Sequence, residues 1–245
     1  MPDATGSVHE IFKSYQGEGP LVGRQQVFVR MGGCSLRCRY CDTPGALVRR
    51  AFFEVEHAPG RRERHANPVT PGELSDVLDR YDPLDLEVAL TGGEPLDQVD
   101  FLEQFLPRVS AERSVYLETA GVHAEAMARV RPWVSTVAMD IKLDSMAHEG
   151  DRMAQHAAFL EAALGSGLFV KVIVSDAARR EELEAAAELV ARFDPSLTFV
   201  LQPETDRLTN RPAPLSRLDE LYAVSARHLA DVRVIPQTHK YLGLP

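Results

Sequence analysis

Only three of the 245 residues are cysteine, and all three fall within one stretch of eight, from Cys34 to Cys41. An odd number packed so closely makes a poor disulfide framework, and a cytosolic chain would not keep disulfides in any case. No apolar run approaches the roughly 18 residues that a membrane helix needs. The opening MPDATGSVHE lacks the basic start and the apolar stretch of a secretory signal. The expected location is therefore cytoplasmic, with no membrane partner. Positive charge is scarce too: the formal net charge is −9, which argues against electrostatically driven nucleic-acid binding. With 16 Gly and 16 Pro the chain is neither collagenous nor generally disordered. What remains is an ordinary globular composition, 44% hydrophobic and 26% charged, of a length that suits one large α/β domain or two small ones.

Short apolar runs alternate with amphipathic segments over most of the chain. The strand candidates are 27–31, 87–91, 115–119, 136–142, 168–174, 197–202 and 232–236, rich in Val, Leu and Ile and mostly continuous rather than alternating. Strands covered on both faces, as in parallel sheets, read this way. A helix is expected from Pro71, with Thr70 as N-cap and Glu73 three residues on. Segments 178–193 and 215–229 space their apolar residues three to four apart, as helices do. Strand and helix alternating at this spacing imply a parallel α/β barrel or an open doubly wound sheet. In both folds the chemistry gathers at the carboxyl ends of the strands. Residues 45–69 hold Arg and His with no clear period. They are expected to form a long loop or insertion, either a lid or a solvated connection. No internal repeat or linker divides the chain, so one domain spanning 1–245 is expected.

The cysteines stand at Cys34, Cys38 and Cys41, spaced by three and then two intervening residues. A short loop so spaced can point three sulfurs at one centre, as iron–sulfur clusters require. Structural zinc commonly takes two separated Cys/His pairs. No second pair exists here, although His57 or His65 could supply a fourth ligand. Three cysteines with an aromatic, Tyr40, just before the last resemble the cluster loop of radical S-adenosylmethionine (SAM) enzymes. Thr91-Gly92-Gly93-Glu94-Pro95, directly after a strand candidate, resembles the glycine–glycine–glutamate motif of that superfamily. Glycines let the backbone approach a ligand, and a carbonyl or Glu94 can accept bonds from an ammonium. The resemblance implies a 4Fe-4S cluster on the three cysteines. Its open iron would take the amino and carboxylate groups of SAM, and one-electron reduction would release a 5′-deoxyadenosyl radical that abstracts hydrogen.

Residues 10–34, Cys41-Asp42-Thr43 and the ending Gln237-Thr238-His239-Lys240-Tyr241 further resemble the 7-carboxy-7-deazaguanine synthases of deazapurine (queuosine) biosynthesis. What that resemblance implies is a partial (β/α) barrel. Its reaction is a lyase conversion of 6-carboxy-5,6,7,8-tetrahydropterin to 7-carboxy-7-deazaguanine with loss of ammonia, needing Mg²⁺ and regenerating SAM. It implies substrate contacts from Tyr15, Gln16, Gly17, Glu18, Arg30, Thr91, His239 and the terminal Pro245, with Mg²⁺ on Thr43. It implies cofactor contacts from Gly93, Glu94, Asp140, Ile141, Lys142, Gln202, Pro203, Glu204 and Thr205. Asp140-Ile141-Lys142 stands where many members carry Ser-Pro-Lys, which keeps the lysine and leaves the other two contacts open. A flavodoxin or ferredoxin reductant and a homodimer are the expected partners. The rival readings are another small radical SAM enzyme, such as a glycyl-radical activase, and a cluster- or zinc-binding module without activity.

Overall fold

The computed structural model describes residues 4–245 apart from 59, 83–85, 166 and 207–208. Its strands are β1 (Val8–Tyr15), β2 (Gln25–Met31), β3 (Phe52–Ala58), β4 (Arg61–Ala66), β5 (Glu87–Gly92), β6 (Val115–Thr119), β7 (Thr136–Ile141), β8 (Gly167–Val174), β9 (Phe199–Pro203), β10 (Thr205–Asp206), β11 (Arg211–Pro212) and β12 (Val232–Val234). The helices are α1 (Pro71–Leu78), α2 (Val99–Ser110), α3 (Ala124–Val130), α4 (Asp144–Ala147), α5 (Met153–Ala163), α6 (Arg180–Phe193), α7 (Leu218–Ser225) and α8 (Thr238–Leu242). Ten strands form one sheet in the order β12-β9-β8-β7-β6-β5-β2-β1-β3-β4. The seven from β12 to β2 run parallel, as the continuous Val/Leu/Ile runs predict. The capping box expected at Thr70 and Glu73 opens α1.

The two faces of the sheet carry different layers. Val27 and Val29, Val88 and Leu90, Val115 and Leu117, Val137 and Met139, and Val170 and Val172 belong to a large core with the helices. The residues between them point the other way, because side chains alternate along a strand. Phe12, Phe28, Ala89, Tyr116, Ala138, Phe169 and Val200 form a second, smaller cluster, one residue from each of seven adjacent strands. Phe12 stacks on Phe28 at 5.2 Å, and Tyr116 tilts against Phe169 at 6.3 Å. The alanines at 89 and 138 leave room for these rings. This layer is the floor of the concave face.

The sequence expectation fails at the start of the sheet. Residues 45–69 are not a long loop: after a short 3-10 turn, Pro44–Leu47, they form the β3–β4 hairpin. β3 pairs parallel with β1, and β1 pairs antiparallel with β2, so the hairpin extends the sheet by two strands. Phe53 and Val55 are buried while Glu54 and Glu56 face outward, a period of two confined to five residues. β4 (RRERHA) has no buried residue, so it offers no apolar alternation to read. Arg62 holds it in place through Glu54 and Glu56, each at 3.0 Å.

Candidate active site

Two residues beyond the floor, along each parallel strand, lies a ring of polar side chains. Phe28 is followed by Arg30, Ala89 by Thr91, Tyr116 by Glu118, Ala138 by Asp140, Phe169 by Lys171 and Val200 by Gln202. The offset keeps them on the concave face, and the direction carries them to the carboxyl ends of the strands. All six line one cavity. The cavity is open to solvent at its mouth.

Cys34, Cys38 and Cys41 line the same cavity, half-buried and without disulfide partners. Burial pushes the Cys34 thiol up to about 11 and raises that of Cys38 as well. A cationic metal cluster offsets that burial, since coordinating thiols deprotonate outright. The loop is fastened at both ends: Ser35 N donates to Asp97 at 2.6 Å and Arg39 N to Ala147 O at 3.0 Å. Three sulfurs on one short anchored loop, facing an open cavity, fit a cluster with one open iron.

The glycines of the Thr91–Pro95 turn serve the protein's own backbone. A Cβ on Gly93 would sit 1.9 Å from Gly33 O, and one on Gly92 would sit 2.5 Å from Met31 N, with Gly92 already at φ +120°. Gly93 N donates to Met31 O and Glu94 N to Gly33 O, each at 3.0 Å, so this turn is laced to the residues just before the cysteines. Glu94 lines the cavity but is only 1% exposed. It accepts from Leu96 N (3.1 Å), Thr119 Oγ1 (2.8 Å) and Ala120 N (2.8 Å). Its carboxylate thus braces the ends of β5 and β6.

The far wall carries the SAM-side candidates. Lys142 Nζ reaches Asp140 Oδ2 at 2.8 Å and lies 5.2 Å over the Tyr40 ring. Burial works against its charge, but Asp140 more than offsets this and holds the ammonium well above its usual range. Asp140 Oδ1 and Gln202 Oε1 are buried without a hydrogen-bond partner among the described residues. Such orphans are costly, and acceptors facing a cavity suit the hydroxyl and amino donors of a nucleoside. Pro203, Glu204 and Thr205 also line the wall, and Glu204 holds Arg39 at 2.8 Å. Ile141 does not belong to this set. Its neighbour Asp140 takes the concave face, so alternation turns Ile141 into the helix-side core, fully buried.

A second group of charges lies toward β1 and the C-terminal tail. Glu18 pairs with Lys171, whose Nζ also lies 3.8 Å from Asp140 Oδ2. Burial would raise Glu18, but Lys171 overcomes it and keeps this carboxylate below its usual range. Glu118, pressed by burial and by the nearby Glu18, sits above its own. Glu118 is held by Gln16 Nε2 (3.0 Å) and Thr91 Oγ1 (2.6 Å). The Gln16 amide also donates to Gln26 and accepts from Glu18 N, so Gln16 is spent on positioning its neighbours. Arg30 lines the cavity, lies 5.6 Å over Phe12 and gives its Nε to Glu10 at 2.8 Å. Among the described residues no side chain takes its two terminal nitrogens.

Thr43 makes no capping bond to the turn that follows, and its hydroxyl donates to Asp42 at 2.9 Å. Burial raises Asp42, yet Lys240, Gln237 and Thr43 together leave it strongly acidic. The tail brings Gln237 Nε2 to Glu18 (2.6 Å) and Asp42 (2.9 Å). Thr238 N donates to Gly17 O at 2.9 Å, and a Cβ on Gly17 would overlap His239. Ligand atoms of Glu18, Asp42 and His239 lie within 4.8 Å of one another, a grouping that could hold a metal ion. Tyr15 and Pro245 reach the cavity as well. Of the expected site residues, Ile141 is the one that does not line it.

The sequence alone does not single out Lys171 or Gln237 as site residues. Lys171 was visible as the lone charge inside LFVKVIV, a signal that a buried partner exists. Gln237 carried no signal of its own.

The match to the model of the radical SAM superfamily covers residues 28–207. A 7-carboxy-7-deazaguanine synthase of Geobacter sulfurreducens is 37% identical over 99% of both chains. One of Methanopyrus kandleri is 32% identical over 96% of this chain and 92% of its own. The crystal structure of QueE from Escherichia coli shares the fold at 24% identity, with TM-score 0.62 over 96% of this chain and 95% of that one. Streptococcus suis SuiB bound to S-adenosylmethionine aligns at 16% identity and TM-score 0.52, over 87% of this chain and 50% of that one. The chain belongs to the 7-carboxy-7-deazaguanine synthase family of the radical SAM superfamily.

Proposed function

We propose that this enzyme converts 6-carboxy-5,6,7,8-tetrahydropterin to 7-carboxy-7-deazaguanine with loss of ammonia, for queuosine or another deazapurine. The observation that carries the reading is the division of the cavity. Cysteines and orphaned acceptors occupy one side, and paired carboxylates with an open arginine occupy the other. A 4Fe-4S cluster and SAM on the first side supply the hydrogen-abstracting radical. On the second side Glu118 accepts from the N–H groups of the pterin's guanine-like edge. Gln16 and Thr91 fix that carboxylate in place, so less is lost in ordering it on binding. Arg30 takes the substrate carboxylate with its terminal nitrogens, a two-pronged contact that suits a guanidinium. Asp42 and Thr43 offer hard oxygens for Mg²⁺, which keeps waters and substrate oxygens as its other ligands. His239 and the tail close the pocket over the pterin. A flavodoxin or ferredoxin supplies electrons, and the working assembly is a homodimer. Anaerobic turnover with dithionite, SAM and the carboxytetrahydropterin tests the proposal. The expected product is 7-carboxy-7-deazaguanine, with SAM recovered. SAM cleavage without consumption of the pterin would overturn the substrate assignment.

A further inference from the structure

The β3–β4 hairpin holds a cluster of ligating side chains that the cavity does not use. His57 lies on β3, where the register with β4 slips between Glu56 and Ala58. Glu63 and His65 are two residues apart on β4 and so share its face, opposite Val55 and Phe53. The three side chains meet on the inner face of the hairpin. His57 Nε2 is 3.5 Å and His65 Nε2 is 3.8 Å from the same Glu63 oxygen, Oε2. All three ligand atoms lie within 4.8 Å of one another. Each imidazole is clamped by an aromatic ring: His65 stacks on Phe53 and His57 tilts against Tyr81, both at 5.3 Å. Both Nε2 atoms are buried, and among the described residues neither has a hydrogen-bond partner. Two orphaned imidazole nitrogens converging on one carboxylate oxygen are hard to explain as packing, because buried polar atoms are ordinarily satisfied.

We propose that His57, Glu63 and His65 form a binding site for a divalent transition-metal ion of the zinc type. Zinc holds His nitrogen and carboxylate oxygen at about 2.0–2.2 Å, so two ligands of a tetrahedral ion lie about 3.4 Å apart. The observed 3.5 and 3.8 Å are already close to that edge. Two imidazoles and one carboxylate are ligands that zinc takes readily, with a water in the fourth position. Glu63 is 43% exposed, which gives the ion an entry path. Arg80 Nη1 reaches Glu63 Oε2 at 3.1 Å. Its half-exposed side chain is free to move to the other carboxylate oxygen or into solvent when the ion arrives. The ion would tie β3 to β4, the edge strand of the sheet, which contributes no buried residue of its own. The site is structural in this reading, and none of its ligands lines the active-site cavity.

Cluster-loaded protein, dialysed anaerobically against micromolar zinc chloride, should retain one zinc per chain beside its full iron content. Glu63→Gln and His65→Gln should each weaken that zinc binding at least about 10-fold while the iron content stays unchanged. Glu63 is half-exposed and Gln is its isostere, so this variant tests the site without threatening the fold. Zinc should also slow amide exchange across residues 52–66 in the wild type and leave it unchanged in both variants. Failure of the wild type to retain zinc, or equal retention by wild type and Glu63→Gln, would overturn the proposal. Both outcomes are independent of whether the pterin turns over.

Discussion

Glu94→Gln separates two roles that the sequence cannot distinguish. As an ammonium acceptor, Glu94 would matter to SAM and little to the fold. Its surroundings assign it the opposite balance. Oε1 accepts from Leu96 N and Thr119 Oγ1, and Oε2 accepts from Ala120 N. A glutamine amide must turn its NH₂ toward either the Leu96 or the Ala120 N–H, and neither backbone donor can reverse. One buried N–H is therefore left unsatisfied, at about 1–3 kcal/mol. Loss of the carboxylate also weakens the bonds that remain, for about 2–4 kcal/mol in all. At about 2–4 °C per kcal/mol for a chain of this size, the melting temperature should fall by roughly 5–15 °C. Thermal unfolding of wild type and variant by circular dichroism reads this directly, and SAM affinity of the cluster-loaded forms is measured beside it. An unchanged melting temperature with lost SAM binding would refute the bracing role and restore Glu94 to the ligand.

Arg30→Lys conserves charge but not the fork, and substrate affinity measured by equilibrium binding should drop by about 1–3 kcal/mol; wild-type affinity would remove Arg30 from the site. Thr43→Ala should blunt the response of turnover to Mg²⁺ more than it changes SAM binding, and an identical Mg²⁺ titration would count against the assignment. A short peptide added after Pro245 should raise KM for the pterin, whereas the same peptide before Met1 should not. Equal KM values would make the tail a packing element only. His156 is buried, and that burial lowers its pKa from 6.5 to about 4; its Nε2 accepts from Lys142 N and its Nδ1 faces Gly121 O. The unfolded chain takes up this proton before the native state does, so the stability is intact above pH 6.5. It is lost as pH falls toward 4, up to about 3 kcal/mol. Urea unfolding across that window should show a shallower pH dependence in His156→Gln than in wild type, and parallel curves would contradict this.

The parallel strands were legible because burial on both faces demands continuous Val, Leu and Ile, and no other element of this fold does. The first strand was not, because VHEIFKSY mixes polar and apolar residues at an antiparallel position. The hairpin was hidden for a different reason. β4 is anchored by charge pairs and hydrogen bonds, and those leave no hydrophobic period in a sequence. Glu94 shows the same limit within the site. Its position after two glycines pointed to a ligand, while two of its three partners, Thr119 at the end of the next strand and Ala120 just beyond it, lie 25 and 26 residues away.

The residues of the cavity follow from one geometric rule applied to neighbouring strands. Parallel strands in register bring the same face of each to the same height, so an apolar layer from Phe28 to Val200 forces the residues two positions on into a second layer. Those positions carry Arg, Thr, Glu, Asp, Lys and Gln, polar groups that are costly to bury without partners. Most find them nearby, Thr91 with Glu118, Lys171 between Glu18 and Asp140, and Arg30 with Glu10, while Gln202 Oε1 is left to the cavity. Lys171 stands in the middle of a strand that is apolar on either side, and it is tolerable there because Glu18 arrives from the far end of the chain. Glu18 in turn is held by Gln237 of the tail. The two ends of the chain therefore meet over a lysine that the central strands present.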